Sequence, residues 1–560
     1  MAATCRFFTL LTLVISFEVV FFEGCMKRNA IEKLPAEQVR KELARFAPAT
    51  FECDLSGLDP KEAEVIKRLV KASKFMDEIF LRQVDEGNPG LREILADMRE
   101  PDAGVYRDFF TIMFGPWNRI DGDSPFLNAK SKPAGAAFYP ADMTKEEFAG
   151  FIGRHPEKRD SFEGGFTVIR RDDGGLVSIP YSEYYREWLV PAAGLLREAA
   201  AMTSDPALKK YLQSRAAAFL SNDYYPSDLD WMDLGGDIEI VIGPYETYED
   251  GLFGFKAAFE SYVCLVDHEE SARQRAIAGS LEALEKALPL PEPAPEGKRG
   301  NVTPIKVVNV LYAAGDGKAG VQTAAFNLPN DERVRRAKGS KNVMLKNVMR
   351  AKFENCWLPI VRTALAEKDL SRVSFDAYFA HTLMHEVSHG LGPGILSKNG
   401  RETTVRTELK EAYPVIEECK ADVLGLLAAQ ALIDRGVFPG SLGSSLYATN
   451  LGGLFRSIRF GIGEAHGAGV AIQMNVYMDG AACKVGPDGR FSVDDAAMKR
   501  AARGLAADLL RIEADADYGA AKAFIAGHGS VRPEVRAVLD RMTGIPVDIR
   551  PVYSVEDKLR

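Results

Sequence analysis

Cysteine is scarce in this 560-residue chain, which has seven. Past Cys25 there remain Cys53, Cys264, Cys356, Cys419 and Cys483, too few and too scattered for a disulfide framework. No two of them stand at zinc-finger spacing. Positive charge is not in excess either: 70 Lys and Arg face 79 Asp and Glu, a net charge of −9, which argues against general nucleic-acid affinity. There is no Walker-type loop, no dinucleotide fingerprint and no internal repeat. What remains is 46% hydrophobic and 27% charged, the balance of a folded globular protein. The length exceeds what one ordinary core serves and implies two or more lobes. One basic run, Arg333 to Lys352, holds eight Lys or Arg and no acid, and reads as a solvated face.

Histidine is equally scarce, yet four of the seven, His381, His385, His389 and His466, fall in one region of the sequence. The run His385-Glu386-Val387-Ser388-His389 carries the chemistry. Histidines at i and i+4 share one face of a helix, so both rings can address one metal ion. Glu386 stands beside the first of them, within reach of a water on that metal. Ser374 is the expected N-cap of a helix running from Phe375 to Leu391, closed by Gly390 and Gly392. A catalytic zinc takes three protein ligands and keeps one position open. Just after Pro414, Glu417-Glu418-Cys419-Lys420-Ala421-Asp422 opens a second expected helix, with Glu418 and Asp422 on one face. A carboxylate there is positioned to bind metal while a neighbour orients an imidazole. Cys419 points elsewhere, and His381, one turn before His385, reads as a helix residue near the site.

The block E-E-C-K-A-D resembles the E-E-C-R-A-E signature of the dipeptidyl peptidase III family of zinc peptidases. H-E-V-S-H is one residue shorter than that family's H-E-x-x-G-H and looks like the shorter variant of its bacterial and plant members. Gly463-Glu464-Ala465-His466 is similar to its G-E-A-H segment, Glu246-Thr247-Tyr248-Glu249-Asp250 to E-S-Y-R-D, and Asn327-Leu328-Pro329-Asn330 to N-I-P-N. The five segments occur in the family's order, spread in patches over about residues 180 to 480.

The resemblance implies one zinc ion on His385, His389 and Glu418, with Glu386 as general base. It implies Glu417 and Asp422 as the acids behind the ligands, Asp422 having a shorter reach than the family's glutamate. It makes His466 a transition-state residue and Tyr248 the group that polarises the scissile carbonyl. Glu246, Asn327 and Asn330 would hold the substrate's N-terminal end. The expected activity is release of dipeptides from the N-terminus of peptides. The alternatives are a zinc hydrolase of a non-peptide amide or ester, and a non-catalytic peptide-binding lipoprotein. The expected partners are peptides, not nucleic acid.

The expected fold class is α+β, predominantly helical; the resemblance implies a mixed α/β lobe and a helical zinc-binding lobe separated by a cleft. The mixed lobe is expected over 31–265 and 301–344, and the helical lobe over 266–300 and 345–542, with 543–560 as a C-terminal tail. Residues 31 to about 225 read as mostly helical, including Lys61 to Val84 and Tyr184 to Met202. Leu234 to Ile242 and Lys306 to Tyr312 read as strands, and Ser271 to Leu288 as one amphipathic helix. Leu288 to Gly297, with four prolines, is a stiff connection. Residues 1–25 read as an export segment: Phe7 to Phe22 is almost entirely apolar, too short to span a bilayer, and ends at Gly24-Cys25 as in a bacterial lipoprotein signal. The expected location is therefore periplasmic or membrane-anchored through a lipid on Cys25 of a bacterial protein, with a cytoplasmic location as the alternative.

Overall fold

A computed structural model describes residues 31–173, 175–289, 297–298, 305–398 and 400–559. The expected export segment with Cys25 lies outside the described residues, as do 290–296 of the proline-rich connection. Two hydrophobic cores organise the chain, one per lobe, in an α+β fold that is mostly helical with a cleft between the lobes.

The first core begins with strand β1 (Phe46–Phe51) and helix α1 (Pro60–Val84). Asp59 caps α1 by accepting from the Lys61 N–H at 2.8 Å, and Pro60 presets the first turn. A hairpin, Thr167–Asp172 with Gly175–Pro180, interrupts the stretch expected to be helical; a β-branched run into an Asp/Gly turn wins there. Helices α2 (Arg186–Met202) and α3 (Pro206–Ser221) follow. A five-stranded mixed sheet then forms from β2 (Ile238–Pro244), β3 (Phe259–Val266), β4 (Ile305–Gly315), β5 (Ala325–Leu328) and β6 (Lys341–Leu345), in the order β5-β6-β4-β3-β2. Only β4 and β6 run parallel. All of β2 is buried, its one charged residue, Glu239, being paired with Lys341 on the same sheet. Between β3 and β4 the expected single helix is two, His268–Ala278 and Leu281–Lys286, broken at Gly279-Ser280.

The second core is built from α4 (Leu358–Ala364), α5 (Phe375–Ser388), α6 (Tyr413–Asp434), α7 (Leu446–Ile458), α8 (Ala465–Asp479) and α9 (Asp495–Asp515). Residues 543–560 are not a tail. Strand β7 (Asp548–Tyr553) returns to the first lobe and pairs in parallel with β1, from Phe46↔Asp548 to Phe51↔Tyr553. Ile549, Tyr553 and Val555 enter the first core.

The basic run is not a uniformly solvated face. Lys341 pairs with Glu239 (3.3 Å), Lys346 with Asp267 (2.8 Å) and Glu270 (3.0 Å), and Lys352 with Asp548 (3.1 Å). Each acid lies far along the chain, so the pairing could not be read from the run itself.

Candidate active site

Helix α5 starts as expected, with Ser374 Oγ accepting from the Ala377 N–H at 3.2 Å. It ends at Ser388, three residues short of Leu391, and His389 takes the C-cap with helical backbone angles (φ −58°, ψ −30°). The i, i+4 relation of His385 and His389 therefore survives, and the two ring centroids are 4.8 Å apart. Pro414 opens α6, which lies against α5 and brings Glu417, Glu418 and Asp422 to the histidines.

That approach depends on a missing side chain. A Cβ on Gly425 of α6 would meet the His385 backbone N at 2.8 Å and Cα at 3.1 Å. Gly469 of α8 plays the same part, since a Cβ there would fall 3.1 Å from Cys419 N. Cys419 is buried at that contact and is not part of the ligand group. The close packing also answers the short reach of Asp422, whose Oδ1 accepts from His385 Nδ1 at 2.7 Å.

His385, His389 and Glu418 offer ligand atoms within 4.8 Å of one another. Both rings donate from Nδ1: His385 to Asp422, and His389 to Glu417 Oε1 at 2.9 Å. Their Nε2 atoms then carry lone pairs. Glu418 Oε2 lies 3.3 Å from His385 Nε2, 3.9 Å from His389 Nε2 and 3.3 Å from His466 Nε2. This buried oxygen has no hydrogen-bond donor. Acceptors converging on one point repel unless a proton or a metal cation lies among them, and with both Nδ1–H groups held by carboxylates the set has the nitrogen and oxygen donors that fit a divalent metal.

The charges follow from the same contacts. Burial disfavours a charged His385, but the Asp422 carboxylate outweighs it, with Glu418 adding to it, and raises the ring well above the ordinary histidine range; the Nε2 lone pair becomes available when a metal takes the place of that proton. Burial likewise works against an ionised Asp422, yet His385 holds it well below the usual carboxylate range. Glu417 is lowered in the same way, by Lys420 and His389 against burial. Glu386 is half-buried beside His385, and the His466 side chain is 63% exposed. His381 is not aimed at the metal group; its Nε2 contacts the Asp422 carbonyl oxygen at 3.0 Å, and burial lowers its pKa so that it is neutral.

The second cluster forms on the first lobe. Glu246 and Tyr248 lie on the loop after β2, and Asn330 follows β5. Asn330 Nδ2 donates to Tyr245 O at 2.9 Å and approaches Glu246 Oε1 at 3.5 Å. Asn327 on β5 is held by Asn342 and by Arg335, whose guanidinium donates to Asn327 Oδ1 at 3.3 Å. Tyr248 is 85% exposed. No hydrogen bond or ion pair joins this cluster to the histidines among the described residues. Glu249, beside Tyr248, is buried in ion pairs with Arg119 (2.7 Å) and Lys132 (2.9 Å).

Sequence reasoning missed Gln473, whose Nε2 donates to Asp422 Oδ2 at 3.0 Å. Its spacing of seven from His466 puts both on one face of α8, which was the available signal. It also missed Lys420, whose Nζ donates to Glu417 Oε2 at 2.9 Å.

Comparison with known proteins adds independent findings. The sequence model of peptidase family M49 matches residues 171–431. A solved structure described as dipeptidyl peptidase III from Caldithrix abyssi is 49% identical, with a TM-score of 0.89 over 93% of this chain and 100% of that one. A second, dipeptidyl-peptidase III from Corallococcus, is 44% identical with a TM-score of 0.75, over 94% and 99% of the two chains. Among curated relatives, an Arabidopsis thaliana protein named Nudix hydrolase 3 is 37% identical over 93% of this chain and 74% of its own length. Dipeptidyl peptidase 3 of Rattus norvegicus is 33% identical over 29% of this chain and 21% of its own. The plant relative's name denotes a different hydrolase activity, and part of that protein lies outside the match.

Proposed function

We propose that this chain, which belongs to the dipeptidyl peptidase III family (peptidase family M49) and is thus a metallopeptidase acting on peptides, uses one zinc ion to release dipeptides from free N-termini. The observation that carries the reading is the orphaned Glu418 Oε2 facing imidazole nitrogens whose opposite N–H groups are already held by carboxylates. His385, His389 and Glu418 would hold the zinc, with Asp422 and Glu417 fixing the tautomer of each ring. Zinc bound there supplies a water whose pKa falls toward about 7 and a Lewis acid for the scissile carbonyl.

The remaining steps belong to the chain. Glu386 takes the proton of the attacking water and delivers it to the leaving amine. His466, exposed at the mouth of the group, donates to the oxygen that gains charge. Tyr248 makes the same kind of donation from the opposite lobe; its exposure suits a group that meets substrate when the cleft closes. Glu246, with Asn330 beside it and Asn327 nearby, binds the substrate's amino end. Holding that amine a fixed distance from the metal sets the product length at two residues.

The test is a peptide library presented in free and N-acetylated forms to the zinc-loaded protein and read by mass spectrometry, with Glu386→Ala as control. Dipeptides released only from free N-termini, and only by the intact protein, are the expected result. Cleavage of acetylated peptides would make the enzyme an endopeptidase. No cleavage by a protein shown to hold zinc would shift the reading to a non-peptide amide or ester.

A further inference from the structure

Each histidine of the metal group leans on a carboxylate, and each carboxylate is clamped from outside. For His385 the clamp is direct: Gln473 donates to the second oxygen of Asp422. For His389 it is longer. His389 Nδ1 donates to Glu417 Oε1 at 2.9 Å, and Lys420 Nζ donates to Glu417 Oε2 at 2.9 Å. Lys420 Nζ in turn lies 3.5 Å from Glu513 Oε2 on α9, more than ninety positions further along the chain. We propose that Glu513 is a positioning residue of the metal centre: it holds Lys420 against Glu417 and so fixes the ring of His389. The proposal rests on His389 being a ligand.

Two observations set Glu513 apart from an ordinary core residue. Its side chain is fully buried, and that of Lys420 is 2% exposed. Neither carboxyl oxygen of Glu513 has a hydrogen-bond donor, so Lys420 is the cation it addresses among the described residues. A buried carboxyl with so little satisfaction costs stability, and an apolar side chain of similar volume would serve packing better. Its return is therefore sought in function. A lysine ammonium has three donors on a flexible four-carbon stem. With Glu417 as its single anion, Lys420 could pivot and draw the Glu417 carboxylate with it. A second carboxyl group within 3.5 Å, packed beside Glu417, confines the ammonium, and Glu417 then presents a constant oxygen to His389. Burial pushes the Glu513 carboxyl up to about 8; Lys420 opposes the shift, and the Glu417 carboxylate beside it adds to it.

The full chain labelled with ¹⁵N-histidine gives the test, since it holds seven histidines. Two readouts are taken: the Nδ1–H resonances of His385 and His389, assigned by single replacements, and zinc affinity by chelator competition. Glu513→Met removes the acceptor and keeps the volume. It is expected to broaden or shift the His389 resonance, leave that of His385 in place, and weaken zinc binding about tenfold, the low end for loss of an outer partner. Glu513→Gln keeps an acceptor oxygen and is expected to preserve both signals and the affinity. If the methionine variant does not fold, Glu513→Asp, which withdraws the acceptor by one methylene, is expected to give the same selective change. A methionine or aspartate variant with unchanged His389 signal and zinc affinity overturns the proposal. So does equal loss of both histidine signals, which is the mark of a packing role. If zinc perturbs neither His385 nor His389 in the unaltered protein, the ligand reading itself fails and the proposal falls with it.

Discussion

A single oxygen of Glu418 faces three imidazole nitrogens, while Glu386 stands beside the group, so the two glutamates have separable consequences. Glu418→Ala is expected to lose zinc on dialysis, because two neutral histidines alone hold it poorly. Glu386→Ala is expected to keep zinc and lose about a thousandfold in kcat, the scale of a missing general base. Metal analysis beside kinetics distinguishes them, and a Glu418→Ala protein with full zinc content would mean the third ligand is another residue. A different carboxyl offers a pH test away from the metal. Asp316, just past β4, is pushed up to about 7 by burial, with Glu249 and Glu246 adding to it against Arg119 and Lys132. In the unfolded chain an aspartate titrates near about 3.9. Between those values the folded protein keeps a proton that the unfolded chain has released, so stability falls as pH rises through the window. Asp316→Asn is neutral throughout. Its urea midpoint is expected to gain on the wild type from pH 4.5 to pH 8, and a difference that does not change with pH would refute the assignment. At this scale the sequence was most legible where partners lie close along it. His385 and His389, or Glu417, Glu418 and Asp422, announce themselves by helical spacing. Gln473 shares a face of α8 with His466, but that spacing does not name Asp422 as its partner, and Glu513 has no such signal, because what they touch is decided by how α8 and α9 pack on α6.

The helices of the second core reach one another through glycine. With no Cβ at Gly425, the backbone of α6 lies against that of α5 at His385. Gly425→Ala must push the two helices apart, since the clashing atoms are main chain and cannot rotate away. The expected cost is about 1–3 kcal/mol, the range for forcing a methyl group into a filled space. The same displacement moves Glu418 and Asp422 away from His385, so zinc affinity is expected to fall with the melting temperature. A variant that melts lower but binds zinc as before would show that the site tolerates the shift. Element types were legible and their ends less so. Lys61 to Val84 is α1 almost to the residue, because a proline, a cap and a long apolar stripe agree. The helix of the first zinc motif stops at Ser388, ahead of the glycines taken as its end. The break at Gly279-Ser280 is masked in the sequence by the amphipathic pattern that runs on either side of it.

In the whole molecule the second lobe's chain is tied back to the first at Asp548. Its Oδ2 accepts from Gln322 N at 2.8 Å and from Lys352 Nζ at 3.1 Å, and both charged side chains are nearly out of solvent. Asp548→Ala leaves the Lys352 ammonium buried without a counter-ion, and about 3–5 kcal/mol of unfolding free energy is expected to go with it. Chemical denaturation of the metal-free protein measures this, and a loss below about 1 kcal/mol, the level of an exposed pair, would show the pair to be solvated. More than one lobe was legible from length, and the α+β plan with its two non-contiguous lobes from the resemblance of the five motifs to the family. The return of residues 548–553 was not, because six residues with a proline among them carry little strand signal until β1 is there to pair with.

That pairing joins the two extremes of the described chain: Cys53 N–H donates to Ser554 Oγ across 501 residues, beside a strand pair in register. A ribosome delivers these partners about 100 s apart at the slower speeds of synthesis and about 25 s apart at the faster ones. Throughout that interval β1 exposes an unpaired edge, and the first lobe's core waits for Ile549, Tyr553 and Val555. The metal-binding helices, being contiguous in sequence, emerge complete before that closure. On the nascent chain, then, both cores wait for the last stretch of synthesis, the second for Val535, Val538 and Met542 and the first, although made earliest, for the strand that follows them.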